Sequence, residues 1–164
     1  MLVNTNILFL DRDGVINRKA PPHEYITSIA EFVFLPGTIE TLQKLQTAGY
    51  LFYIVTNQAG IGRGKMTMAD VDSIHAHMKN ELRKAGVEIA GIYMCPHTEA
   101  DACDCRKPKP GMFLKASIED DIDLSKALFV GDSENDAAAG EAAGVRTILV
   151  QSDTGIFAAL PELL

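Results

Sequence analysis

Short, largely apolar runs recur along this chain at Ile7–Leu10, Leu51–Val55, Gly91–Met94, Ala127–Val130 and Arg146–Val150. A run that is apolar at consecutive positions must be covered on both faces, which predicts buried strands of a parallel sheet. Between the runs the period changes to that of a helix. Leu42, Leu45 and Ala48 follow Pro36-Gly37-Thr38 at helical spacing and stop at Gly49. Val71, Ile74, Met78 and Leu82 follow Thr67, a residue type that caps helix N-termini, and stop at Gly86. Met112 to about Glu119 predicts a third helix, and the alanine-rich stretch Asn135–Ala143, ended by Gly144, a fourth. Three loops stand out: a polar one with Pro21 and Pro22 running to about Phe34, a glycine-rich one from Gln58 to Met66, and a cysteine- and proline-bearing one ending at Pro110. Strands alternating with helices predict an α/β fold, a three-layer, doubly wound parallel sheet with right-handed crossovers. No internal repeat is visible and the tail after Val150 is too short to be a domain, so residues 1–164 are expected to form a single domain.

Composition narrows the function classes. A chain of 164 residues with 47% hydrophobic and 23% charged residues suits one soluble domain with a full core. The net charge of −7 disfavours a nucleic-acid partner, which needs a basic face. No apolar stretch is long enough to span a bilayer, and no basic region followed by an apolar run marks a signal peptide, so no membrane partner and a cytoplasmic location are expected. The three cysteines, Cys95, Cys103 and Cys105, are odd in number and clustered, which reads as metal binding and not as a disulfide framework.

The chemistry begins at the end of the first run, Ile7-Leu8-Phe9-Leu10-Asp11-Arg12-Asp13-Gly14-Val15. Ligands of open α/β sheets sit outside the carboxyl ends of strands, so Asp11 and Asp13 are delivered to the functional end. Two ionised carboxylates this close repel unless a cation or a proton holds them. A divalent metal, a nucleophile and an acid/base group are therefore expected together. Asp-x-Asp-Gly-Val after an apolar strand resembles the first motif of the haloacid-dehalogenase-like phosphatases. Three further segments are similar to that family's other motifs, in its order, at ends of predicted strands: Thr56-Asn57-Gln58, Lys107 in Cys105-Arg106-Lys107-Pro108-Lys109-Pro110, and Gly131-Asp132-Ser133-Glu134-Asn135-Asp136.

The resemblance implies a HAD-like, Rossmannoid and essentially capless fold, and an Mg²⁺-dependent phosphomonoesterase. It implies Asp11 as nucleophile and Asp13 as acid and base, with Thr56, Asn57 and Lys107 on the phosphoryl oxygens. The catalytic Mg²⁺ is assigned to Asp11, the backbone carbonyl of Asp13 and Asp132. Asp136 is expected to support the metal shell or Lys107, and Arg106 to bind phosphate oxygens through its planar fork.

Cys95-Pro96-His97, then Cys103-Asp104-Cys105, offers three thiolates and one imidazole, a tetrahedral set expected to hold a structural Zn²⁺. Cys105 directly precedes Arg106 and Lys107, so the zinc loop is expected to aim the lysine. This loop resembles two branches of the family, the heptose bisphosphate phosphatases and the histidinol-phosphate phosphatases. Arg63-Gly64-Lys65 is similar to the heptose branch, and two cations suit a second phosphate while repelling a cationic amino alcohol. The short spacer Thr98–Ala102 is closer to the histidinol branch, and Ser133 stands where the heptose branch is expected to carry lysine. The expected substrate is D-glycero-D-manno-heptose 1,7-bisphosphate, losing its 7-phosphate. The alternatives are histidinol phosphate and, in another class, a catalytically silent phosphate-binding or regulatory module. A monomer is expected.

Overall fold

In a computed structural model that describes residues 6–164, five strands pair side by side, all parallel. They are β1 (Asn6–Leu10), β2 (Tyr50–Asn57), β3 (Ile89–Cys95), β4 (Leu128–Gly131) and β5 (Arg146–Leu149), in the order β3-β2-β1-β4-β5. Residues 1–5 of the expected 1–164 span lie outside the described residues. The alternation of side chains along each strand splits the interior into two cores. Leu8 and Leu10 of β1 and Phe52 and Ile54 of β2 point to one face. Leu42 and Leu45 of α1 (Thr38–Thr47) and Ile74, Met78 and Leu82 of α2 (Met68–Lys84) cover that face. Phe9, Tyr53, Val55 and Phe129 point to the other, under Phe113 and Ala116 of α3 (Gly111–Asp120) and Ala139 of α4 (Glu134–Ala143). The apolar runs are continuous because both faces are covered.

The start of α2 follows the expected chemistry. The Thr67 hydroxyl accepts from the Asp70 N–H at 3.1 Å, and the Asp70 carboxylate accepts from the Thr67 N–H at 2.8 Å, a reciprocal cap. Two features differ from expectation. β2 and β3 run on to Asn57 and Cys95, because Thr56 pairs with Met94 and Asn57 with Cys95 in the ladder. Backbone pairing extended these strands past the point where their side chains turn polar. The tail also does more than end the chain. A 3-10 turn, Ile156–Ala159, leads into a helical turn, Leu160–Leu163, whose Ile156, Ala159 and Leu163 complete the α1/α2 core. The Tyr50 hydroxyl donates to the Leu163 carbonyl at 2.8 Å.

The chain moves outward from β1 to β3, then returns to the other side of β1 as β4. The crevice at this switch point, outside the carboxyl ends of β1 and β4, is where open α/β sheets bind ligands. The loop from Asp11 to Leu35 arches over it. The loop is tied down by an Asn17–Phe34 bridge, by the Arg18 N–H on the Val33 carbonyl (2.9 Å), and by one 3-10 turn at Ile29–Glu31.

The second core centres on Phe113, whose ring meets Phe9 and Phe129 edge-on, each at 5.0 Å between centroids. Phe113→Ala should cost about 3–5 kcal/mol, the usual range for emptying a fully buried aromatic site. Equilibrium urea unfolding checks this: the midpoint should fall with an unchanged m-value.

Candidate active site

Asp11 continues the β1 ladder by one bond, its N–H donating to the Val130 carbonyl at 3.0 Å. Its carboxylate Oδ1 accepts from the Arg12 N–H at 2.8 Å and from the Lys107 ammonium at 3.0 Å. The chain then turns through Gly14. This residue has φ of 88°, and a Cβ there would collide with Oδ2 of Asp132. Only glycine supplies both the left-handed conformation and the space, so it lets the β1 turn close onto the end of β4.

Lys107 is the hub. Its side chain is 4% exposed, and its ammonium reaches Asp136 Oδ1 at 2.7 Å, Asp11 Oδ1 at 3.0 Å and the Val55 carbonyl at 3.0 Å. Three acceptors match the three protons of an ammonium. Burial works against its charge, but the paired Asp11 and Asp136 carboxylates outweigh burial and raise its pKa. Asn57 brackets the same residue from the backbone side. Its Oδ1 accepts from the Lys107 N–H at 3.0 Å and its Nδ2 donates to the Lys107 carbonyl at 3.1 Å.

Asp132 and Asp136 come from the end of β4 and the first turn of α4. The Ser133 hydroxyl caps that helix by accepting from the Asp136 N–H at 3.2 Å. Asp136 spends both its oxygens, one on Lys107 and the other on the Asp132 N–H at 3.0 Å. Burial pushes its pKa up, but Lys107 beside it brings the balance below the ordinary carboxylate value. Asp11 goes the other way. Burial raises its pKa well above the usual range, and Asp136, Asp132 and Asp13 add to the rise while Lys107 opposes it. Carboxylate oxygens of Asp11, Asp132 and Asp136 lie within 4.8 Å of one another. Three carboxylates face two lysines, Lys107 and the partly exposed Lys19 on Asp132, so the cluster is short of positive charge. Hard oxygen donors of this kind fit Mg²⁺, which commonly takes one or two carboxylates and keeps several waters.

Asp13 is differently placed. Oδ1 accepts from Arg12 Nη2 and Asn17 Nδ2, each at 2.9 Å, and Oδ2 accepts from Gln58 Nε2 at 3.0 Å. Burial raises its pKa, but the Arg12 charge and these three donors bring it below the ordinary value.

The sulfur cluster sits on the far side of Lys107. Cys95 Sγ lies 3.7 Å from Cys103 Sγ and 3.0 Å from Cys105 Sγ, and His97 Nδ1 lies 3.5 Å and 3.3 Å from Cys95 and Cys105. Four ligands at Zn–S distances of about 2.3 Å stand about 3.8 Å apart, so the set fits tetrahedral zinc. The Gly111 N–H closes the loop onto the Asp104 carbonyl at 3.0 Å.

A cavity of about 590 Å³ unites these groups, lined by Asp11, Asp13, Asn57, Arg106, Lys107 and Asp132, with Lys19 and the Pro21–Ile26 segment opposite. Of the expected substrate-binding groups, Arg63 and Lys65 need correction. Asn57 lines the cavity, with one amide N–H and one Oδ1 lone pair committed to the Lys107 backbone. Thr56 is fully buried, and its hydroxyl oxygen accepts from Gln58 at 2.9 Å, which leaves the hydroxyl proton to donate elsewhere. Arg63 and Lys65 do not line the cavity and are exposed. Their loop folds back on itself, with Arg63 N–H on Ala59 O at 3.0 Å and Lys65 N–H on Gly60 O at 2.8 Å, and Gly62 packs onto the Pro96 carbonyl. Besides Lys107, the cavity has Lys19, 3.0 Å from Asp132, and Arg106, whose guanidinium lies 3.6 Å from Glu99. Sequence reading also passed over Arg12, Asn17, Gln58 and His75. Arg12 adjoins both aspartates, which was a usable signal. The others are single polar residues in a loop or on a helix, and nothing local marks them.

Comparison with known proteins agrees with this geometry. A family model described as haloacid dehalogenase-like hydrolase matches residues 4–144. The D-glycero-beta-D-manno-heptose-1,7-bisphosphate 7-phosphatase of Pseudomonas aeruginosa is 38% identical, the match covering 94% of this chain and 85% of that protein. The enzyme of the same name from Vibrio cholerae is 45% identical over 88% of this chain and 81% of that protein. A crystal structure of D,D-heptose 1,7-bisphosphate phosphatase from B. bronchiseptica, complexed with magnesium and phosphate, superposes with a TM-score of 0.85 at 35% identity, covering 96% of this chain and 86% of that one. A family match over residues 4–144, with relatives of this identity along nearly the whole chain, establishes that the chain belongs to the haloacid dehalogenase-like hydrolases.

Proposed function

We propose that this chain is an Mg²⁺-dependent phosphatase that removes the 7-phosphate of D-glycero-D-manno-heptose 1,7-bisphosphate. The observation that carries the chemistry is the convergence of Asp11, Asp13, Lys107 and Asp132 on one cavity at the switch point of the sheet. The substrate is supported by the Pseudomonas and Vibrio relatives and by the B. bronchiseptica structure. Lys19 and Arg106, in place of Arg63 and Lys65, supply the cations that a second phosphate requires. Histidinol phosphate, favoured by the short Thr98–Ala102 spacer, offers an amine to these same cations and is disfavoured on charge. Free thiols at Cys95, Cys103 and Cys105 suit a reducing cytoplasm.

Asp11 acts as the nucleophile. Its Oδ1 is held by Lys107 and the Arg12 N–H, so Oδ2 attacks phosphorus and forms an aspartyl phosphate. Asp13 gives a proton to the departing sugar oxygen, then takes one from the water that cleaves the intermediate. Lys107 and the Thr56 hydroxyl proton stabilise the phosphoryl oxygens, where charge collects during transfer. Asp11, Asp132 and the Asp13 carbonyl are the groups that would hold Mg²⁺, which when bound supplies the positive charge that the acidic cluster lacks. Cys95, His97, Cys103 and Cys105 would hold a structural Zn²⁺ with no open position. Intact Asp11 and Asp13 argue against a silent binding module.

Asp11→Asn should abolish turnover while leaving the thermal midpoint near that of the parent, measured by phosphate release and calorimetry. Turnover retained would show that another group attacks. For the substrate, kcat/KM should be at least about 100-fold higher for the heptose bisphosphate than for histidinol phosphate, the scale of one or two hydrogen bonds to charged groups. The reverse preference would overturn the assignment. Cys103→Ser should lose zinc by metal analysis and lower kcat/KM about 100-fold through a displaced Lys107, with a mostly preserved circular-dichroism spectrum.

A further inference from the structure

Arg12 stands between the two catalytic aspartates, and its side chain is fully buried. A buried guanidinium is tolerated only where it is paired and hydrogen-bonded. Its carboxylate partner is Asp13, at 2.9 Å from Nη2. The other arm of the fork, Nη1, meets Nε2 of His75 at 3.1 Å, and the guanidinium carbon lies 5.9 Å from the centre of the Phe32 ring. Nε has no partner. His75 belongs to the buried face of α2, next to Ile74. Arginine is always protonated and only donates, so Nε2 of His75 must accept and the ring must be neutral with its proton on Nδ1. Burial first, and the Arg12 charge second, hold the pKa of His75 at about 4, which keeps it an acceptor at neutral pH.

We propose that His75 is a positioning residue for the acid/base step: the neutral imidazole on α2 fixes the Arg12 guanidinium, and the guanidinium fixes the Asp13 carboxylate. This rests on the reading of Asp13 as the group that protonates the leaving oxygen. The reason is geometric. An ion pair between adjacent residues leaves a long arginine side chain free to pivot about one contact. A planar fork held at both arms cannot pivot, and Asp13 Oδ1 is bonded to one of those arms. Without an acceptor at position 75, Nη1 joins Nε as a buried donor with no partner. The guanidinium must then move toward another acceptor and take the carboxylate with it. A general acid must reach its oxygen within hydrogen-bond distance, so a small shift of Asp13 weakens proton transfer specifically. The effect should therefore depend on how much the leaving group needs a proton.

The experiment compares kcat and KM for p-nitrophenyl phosphate, whose leaving group needs little acid help, with those for the heptose bisphosphate, whose sugar alkoxide needs much. Four proteins are measured with saturating Mg²⁺: the parent, Asp13→Asn, His75→Phe and His75→Gln. His75→Phe should lower kcat for the sugar substrate about tenfold, part of the hundredfold or more that a positioned acid supplies, with KM little changed. Its loss on the aryl phosphate should stay below about threefold. His75→Gln, whose amide oxygen can accept from Arg12, should recover most of that loss. Equal losses on the two substrates, no loss on either, or a glutamine variant as impaired as the phenylalanine one would overturn the proposal. Selective loss in Asp13→Asn with none in His75→Phe would overturn it and leave the role of Asp13 standing. Equal losses in Asp13→Asn would remove the acid role and the proposal with it. If His75→Phe shows no cooperative melting, Arg12→Lys takes its place. One ammonium cannot span Asp13 and His75 as the fork does, so the same selective loss is expected, and equal losses would again overturn the proposal.

Discussion

The buried ammonium of Lys107 is the contact on which this site is built. It bonds the carboxylate after β1, the last acid of the β4 motif and a carbonyl of β2, and so joins three strand ends in one place. Such a charge is costly inside a protein unless every proton finds an acceptor, and here each does. Its position is set from outside as well. Asn57 grips its backbone on one side, and the Cys95–Cys105 cluster sits two residues before it on the other. A lysine held at the tip and at the root is a fixed charge, which is what phosphoryl transfer uses.

Two aspartates separated by a single residue are pushed in opposite directions. Asp11 sits among carboxylates and is driven toward its protonated form, a state that a cation reverses. Asp13 sits among donors and is driven toward its ionised form. An ionised Asp13 is suited to taking a proton from water, whereas giving one to a leaving oxygen requires that it first be protonated, and attack by Asp11 requires a cation that restores its ionised form. Both aspartates line one cavity, but Asp11 meets Lys107 whereas Asp13 meets Arg12, Asn17 and Gln58. The Arg12 side chain enters the core under Phe32 and carries the influence of α2 to the catalytic turn.

The haloacid dehalogenase-like hydrolase fold also explains how the cavity is closed without a separate cap. The Asp11–Leu35 loop, pinned by its Asn17–Phe34 bridge, brings Lys19 and the Pro21–Ile26 segment over the strand ends. Two prolines limit the conformations of that segment, so a short loop can serve as a wall.

The five apolar runs and the helical spacings between them were enough to place every strand and long helix, because burial on both faces or on one stripe is written in local periodicity. Asp11, Asp13, Lys107, Asp132 and the sulfur cluster were legible as candidates for a related reason: phosphoryl-transfer and metal-binding chemistry needs particular residue types at strand ends, and those ends are visible in the pattern. Distances between elements were not legible. Asn57 turned to the Lys107 backbone, Arg63 and Lys65 folded away with their loop, and Lys19 came in from a segment with no periodicity. The tail showed no pattern of its own, yet it completed a core that α1 and α2 leave open. Arg12 and His75, 63 positions apart, meet only because α2 packs on the face beside β1. Local sequence determined which groups are offered and on which strand end, whereas the tertiary structure decided which partner each one meets, since that depends on how separate elements pack.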